Sequence, residues 1–202
     1  GLLARGKDPG RLPDLTEEER AWIKAHPVIR VVTLEDYAPY LITQPNGQLA
    51  GLSVNLIDVI SRRTGLRFEY RKHSTVDSAL ADFKSGGGDV LPALARNAER
   101  EAFALFSTPY STGFAVLVTR TDSPYINSLP ELGHRRVGVL RGAIHGQQIK
   151  AAAPDSQLVE YNTTQESLIG LAAGEVEATF ATVGTAAYYI KHLQLANLRL
   201  GS

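Results

Sequence analysis

Apolar positions recur along this chain with two periods, one suited to strands and one to helices, and the two take turns. Val28–Thr33 (VIRVVT) is a β-branched run that predicts a buried strand. Leu34–Ala50 carries Pro39, Pro45 and Asn46-Gly47, which predicts a loop with a turn. In Ser53–Thr64 the apolar Val54, Ile57, Val59 and Ile60 are spaced for a helix, and Gly65 ends it. Leu66–Tyr70 then reads as strand, Val76–Ser85 as helix and Asp89–Leu94 as strand. This β-α-β-α-β order predicts a largely parallel sheet with helices on its faces. A second unit repeats the alternation. Its predicted strands are Phe114–Thr119, Arg136–Leu140, Gln157–Tyr161, Glu177–Ala181 and Asn197–Leu200. Between them fall a helical turn at Leu129–Leu132 and helices at Ile144–Ala152, Thr164–Ala173 and Thr185–Leu193.

Ahead of both units, residues 1–15 mix Gly, Pro and charge and read as a linker or arm. Thr16 and Glu19 fit a capping box, which predicts a short helix to about Ala25 that stops before Pro27. The two units also echo each other. Ser78–Ala93 (SALADFKSGGGDVLPA) and Ser167–Ala181 (SLIGLAAGEVEATFA) both run helix, glycine, acidic residue, apolar strand. Either two similar lobes or a common local design produces such an echo. Two α/β lobes joined at their strand ends would leave a cleft, a favoured place for ligands.

Composition narrows the function. Apolar residues make up 44%, ordinary for a globular protein, and 202 residues suffice for two small lobes. Lys+Arg and Asp+Glu both total 21, so no field of one sign would attract nucleic acid or an anionic membrane. The cysteine count is 0, which removes disulfides and thiolate chemistry. No run approaches the roughly 20 apolar residues of a membrane span. No signal peptide opens the chain, so an exported protein is expected to be present as a processed or excised piece.

Four segments in order carry a family resemblance. The first is Ile29-Arg30-Val31-Val32 with Tyr37-Ala38-Pro39-Tyr40 and Gly47…Gly51-Leu52. The others are Gly88-Asp89-Val90, then Glu99-Arg100 with Phe106-Ser107-Thr108-Pro109-Tyr110, then Arg136–Gly142 (RVGVLRG). Over about residues 28–200 the chain resembles the type II periplasmic solute-binding family, the Venus-flytrap fold of polar amino-acid receptors. The lead-in, Leu15-Thr16-Glu17-Glu18 and then Trp22–Pro27 (WIKAHP), is similar to that of flytrap domains in sensor histidine kinases of the BvgS and EvgS type. The resemblance implies a two-lobed fold, each lobe a mixed, mostly parallel sheet flanked by helices. The expected division is an arm and lead-in helix at 1–27, a first lobe at 28–112 and a second at 113–202. The family's return segment to the first lobe is expected to be missing after Ser202.

Candidate site residues follow. The Arg100 guanidinium is a planar fork that matches a carboxylate through parallel hydrogen bonds, and the resemblance gives the arginine of this motif that role. The alternative is a surface Arg paired with Glu99 or Glu101. Tyr37 and Tyr40 sit on a strand-end loop, where rings can cover a ligand. Tyr40 could instead pack under the loop, and Tyr110 could pack at the hinge. Gly142, Ala143, Ile144 and His145 form a strand-to-helix turn whose backbone amides can meet an anion. That turn could equally be an ordinary connection, with His145 solvated. Several positions depart from the amino-acid receptors. The resemblance places Ser or Thr where this chain has Ala95, and acidic residues where it has Thr182 and Leu34. Ser53-Val54-Asn55 stands for Asp-x-Asp. A buried ammonium without a carboxylate partner is costly, so a small carboxylate lacking an ammonium fits better than an α-amino acid. An empty lobe pair that signals by other means is the remaining alternative.

Catalysis would need a placed acid or base. No Ser/His/Asp pattern, His-Glu-x-x-His or phosphate-cradling glycine motif is found, and His26, His73, His134, His145 and His192 are scattered. No catalytic residue, metal or cofactor is expected. The expected partner is a small carboxylate or amino acid, with no nucleic acid. The expected setting is the periplasm, attached to the inner membrane through parts outside this chain, with a homodimer possible in the whole sensor. A transport-type amino-acid-binding protein or the regulatory domain of a cell-wall enzyme is the competing reading.

Overall fold

The computed structural model describes residues 14–201. Most of the predicted arm, residues 1–13, therefore lies outside the described residues. Helix α1 (Glu17–Ala25) begins on the expected capping box: Thr16 accepts from the Glu19 amide at 3.1 Å, and Glu19 accepts from the Thr16 amide at 3.0 Å. None of its residues is buried.

Two α/β units follow. The first holds β1 (Val28–Leu34), a small hairpin of β2 (Ile42–Thr43) and β3 (Leu49–Ala50), α2 (Leu52–Thr64), β4 (Arg67–His73), α3 (Val76–Lys84) and the single turn α4 (Ala98–Glu101). β1 and β4 run parallel, pairing Val28 with Arg67 through Leu34 with His73. Ile29, Val31, Val32, Val54, Ile57, Val76 and Ala79 are buried around this pair. The second unit holds β5 (Ala115–Arg120), a 3-10 turn at Leu129–Leu132, β6 (Arg136–Leu140), α5 (His145–Ala152), β7 (Gln157–Tyr161), α6 (Thr164–Ala172), β8 (Ala178–Thr182), α7 (Val183–His192) and β9 (Leu198–Leu200). Its strand order is β7-β6-β8-β5-β9, parallel on either side of β6 and antiparallel on either side of β5.

The second sheet is covered on both faces. One face packs Val116, Val118, Leu168, Leu171, Val176 and Tyr189 beneath α6 and α7. The other packs Leu132, Val137, Val139, Ile149 and Phe180 beneath α5 and the 3-10 turn. Burial of this kind contributes roughly 25 cal/mol per Å² of apolar surface.

The sequence echo is structural. Gly86 and Gly174 both take φ +85° just past a helix, where a left-handed residue closes the last turn. The next amides bond back to equivalent carbonyls, Gly87 to Asp82 and Glu175 to Gly170, both at 2.9 Å. Asp89 then receives both the backbone amide and the guanidinium of Arg30 on β1. Glu177 receives the same two groups of Arg136 on β6. Each unit thus ties one strand, β1 or β6, to the segment just after its helix–glycine turn through an Arg–carboxylate clasp.

One predicted element is corrected. Asp89–Leu94 is not a strand: only Val90 pairs, as a lone parallel bridge to Val31. Pro92 has no amide to donate, and its carbonyl accepts the Tyr110 hydroxyl instead of a ladder bond. The β2–β3 hairpin and α4 are additions within segments read as irregular. β4 also runs on to His73, past the expected Tyr70.

Candidate functional site

The site is built where strand ends of the two units meet. The loop after β1 crosses to the second unit. Ala38 is fully buried in the α6–α7 face, and its amide donates to the Tyr189 hydroxyl at 3.1 Å. Burial pushes the Tyr189 phenol up to about 12, so it remains a neutral partner. This contact sets Tyr37 and Tyr40 over the junction. Their rings stack with centroids 5.9 Å apart and 18° between planes. Tyr37 places its hydroxyl 3.0 Å from Thr182 Oγ1, at the end of β8. The Tyr40 hydroxyl lies 3.1 Å from Ser111 Oγ. Tyr110 does pack at the crossing segment, its hydroxyl 2.6 Å from Ser53 Oγ.

Arg100 is 6% exposed and sits on α4. Asn97 caps that turn by accepting from the Arg100 amide at 2.8 Å, which points the side chain inward. Its guanidinium then joins the units: Nη1 donates to the Ala95 carbonyl at 2.7 Å and Nη2 to the Gly142 carbonyl at 2.8 Å. The surface-pair alternative is thereby corrected. Glu101 pairs with Arg96, and Glu99 accepts from Gln147 at 3.3 Å. No carboxylate bonds to Arg100 among the described residues, and burial lowers its pKa. Ala95 serves through its carbonyl, while its side chain position is exposed.

The β6–α5 turn meets Arg100 closely. Gly142 has φ +81°, and a Cβ there would lie 2.7 Å from Asp77 Oδ1 and 2.9 Å from Val76 Cγ1 on α3. Only glycine permits both that conformation and that approach. Ala143 and Ile144 follow, half-buried, and α5 starts at His145. His145 is buried, not solvated. Its Nε2 lies 3.4 Å from Thr182 Oγ1, its ring meets Phe180 edge-on at 5.6 Å, and its Nδ1 is buried without a hydrogen-bond partner. Burial, and then the nearby Arg100 charge, lower its pKa to about 4, so the imidazole is neutral at ordinary pH. Burial raises the pKa of Tyr37.

Arg100, Tyr37, Tyr40, Thr182, His145 and the Gly142–Ile144 turn are therefore one constellation. Sequence reasoning had not joined Thr182 to Tyr37 and His145, because the three lie far apart in the chain and no local pattern links them. It also missed Asn97, although an Asn three residues before a candidate arginine is a cap signal. Leu34 ends β1, and Ser53 is committed to Tyr110. A depression of about 370 Å³ lined by His134, Arg135, Arg136, Gln157 and Glu177 lies at the amino end of β6, opposite the constellation. Open α/β sheets bind ligands at the carboxyl ends of their strands, so it is not the candidate site. Among the described residues, no group of three or more His, Asp or Glu could hold a metal ion, and no helix is long and apolar enough to cross a membrane.

Comparison with known proteins supports this architecture. The model of the bacterial extracellular solute-binding proteins, family 3, matches residues 29–192. The virulence sensor protein BvgS of Bordetella pertussis is 30% identical over 190 residues, 94% of this chain and 15% of that protein. The chain thus spans about 15% of the length of that sensor protein. The crystal structure of the B. pertussis BvgS periplasmic VFT2 domain superimposes with a TM-score of 0.84 at 30% identity, over 94% of this chain and 81% of that one. An ancestral arginine-binding protein bound to arginine superimposes with a TM-score of 0.81 at 25% identity, over 87% and 79%.

Proposed function

The chain belongs to the bacterial extracellular solute-binding proteins, family 3, and from that premise we propose that it is the periplasmic ligand-binding domain of a membrane-bound bacterial signalling protein. We place the lobes at 28–112 and 113–202, after an arm and lead-in helix in 1–27. The ligand is a small carboxylate held between the lobes. Attachment to the inner membrane through parts outside this chain belongs to this proposal.

One observation carries the reading: a buried guanidinium that spans both lobes through carbonyl oxygens and has no carboxylate partner among the described residues. A buried cation without a counter-charge is unfavourable, and an anionic ligand would supply one. Carbonyl bonds use part of the fork's five donors and leave the rest for the ligand. Tyr37 and Tyr40 cover it, and the α5 amides of the Gly142–His145 turn meet it from the second lobe. The ligand favours the closed form by its differential affinity for that form, and closure moves the chain ends relative to the membrane.

A standard amino acid fits less well. Thr182 is a neutral hydroxyl already bonded to Tyr37, and offers no charge to an ammonium. A thermal-shift screen of amino acids, dicarboxylates and aromatic acids against the domain and its Arg100→Ala variant tests the proposal. Carboxylates should raise the melting temperature of the parent and not of the variant. A strong shift by an ordinary L-amino acid that survives in the variant would overturn it.

A further inference from the structure

We infer that His145 reads a second group on the ligand, and that the site prefers small 2-hydroxy carboxylates over their unsubstituted and 2-amino counterparts. The inference rests on the proposed carboxylate site at Arg100. Its starting point is the imidazole between Thr182, Phe180 and Arg100, which has one nitrogen engaged and the other, Nδ1, buried without a partner. Buried polar atoms in folded proteins are nearly always bonded, so this Nδ1 is open to a partner that the protein itself does not supply.

The hydroxyl chain constrains that partner. Tyr37 Oη, Thr182 Oγ1 and His145 Nε2 lie in sequence, at 3.0 and 3.4 Å. If protons run from Tyr37 through Thr182 to Nε2, then Nδ1 carries the hydrogen and seeks an acceptor. If they run the other way, Nδ1 is bare and seeks a donor. A ligand hydroxyl satisfies either tautomer. An ammonium satisfies only the second, and it also brings a positive charge beside Arg100.

Charge decides against the ammonium. The polar groups gathered here are the Arg100 cation, the neutral His145, and the Tyr37 and Thr182 hydroxyls. Two carboxylates lie nearby and both are exposed: Glu99 is bonded to Gln147, and Asp77, in the first turn of α3, lies against the Gly142 turn. A carboxylate at Arg100 neutralises the pocket, and an adjacent neutral hydroxyl adds a hydrogen bond without adding charge. The two groups are close. Arg100 bonds the Gly142 carbonyl, His145 lies three residues on, and the Arg100 charge acts on its ring.

Calorimetry with two matched series tests this. One is lactate, propionate and alanine; the other is phenyllactate, 3-phenylpropionate and phenylalanine. In at least one series the hydroxy acid should bind about tenfold tighter than the unsubstituted acid, and the amino acid most weakly. In His145→Phe, which keeps the ring's bulk, the advantage of the hydroxy acid over the unsubstituted acid should disappear, whatever the change in their common affinity. Carboxylates that bind through Arg100 with no gain from the hydroxyl would overturn the role of His145 and leave the carboxylate site standing. Tightest binding by the amino acid would overturn the preference. Failure of every acid to bind, or binding unchanged in Arg100→Ala, would overturn both.

Discussion

At the scale of single residues, the site combines a charge and a neutral imidazole that lie close enough to affect each other. Burial lowers the pKa of His145, and the Arg100 charge lowers it further, to about 4. Between pH 4 and the ordinary value of 6.5 the unfolded chain therefore binds a proton that the folded chain does not. Stability should fall as pH drops through that window, by on the order of 3 kcal/mol from this residue. Urea unfolding at several pH values should show the slope, and His145→Phe should flatten it. An unchanged slope in the variant would place the acid sensitivity elsewhere. Much at this scale could be read in advance. Arg100 and the glycine turn were candidates through the family resemblance, with a surface ion pair and an ordinary strand-to-helix connection as their alternatives. The burial of His145 could not be read, because it depends on Phe180 and Thr182, far along the chain.

At the scale of elements, a one-turn helix aims the anchor. α4 has four residues and no core of its own, so the Asn97 cap has a large share in holding it. Asn97→Ala should cost about 1 kcal/mol of stability. It should also weaken carboxylate binding, since Arg100 loses its orientation while keeping its charge; calorimetry beside urea unfolding separates the two effects. Asn97→Asp, which can still cap, should restore both. Element identity was largely legible from periodicity, as the alternating β-branched runs and amphipathic helices show. The failure at Asp89–Leu94 has a physical cause. The apolar pattern there is strand-like, but Pro92 cannot donate, and Tyr110 claims its carbonyl. The echo between Ser78–Ala93 and Ser167–Ala181 was visible in sequence. Its meaning became clear only when Arg30–Asp89 and Arg136–Glu177 proved to be the same clasp.

At the scale of the whole molecule, the two units touch directly through Arg100 and Gly142, Tyr37 and Thr182, and Ala38 and Tyr189. Gly142 lies against α3 with no room for a side chain. Gly142→Ala should therefore disfavour this contact between the two units by about 1–3 kcal/mol, the usual cost of forcing a methyl into a packed contact. Small-angle scattering should report a larger radius of gyration with the melting transition still cooperative. An unchanged radius would mean that the turn yields locally and the lobes stay shut. The two-lobed plan was legible from the four ordered segments, and the family match supports it. The lobe-to-lobe contacts were not legible, since each joins residues with no sequence relation.

The central claim is that Arg100 anchors an anionic ligand between the lobes. Isothermal titration of the best-binding carboxylate into the domain and its Arg100→Ala variant tests it most directly. The account predicts a loss of about 2–4 kcal/mol in binding free energy, the scale for a desolvated charge-assisted pair, in a variant that still unfolds cooperatively. Equal affinity in the two proteins would contradict it.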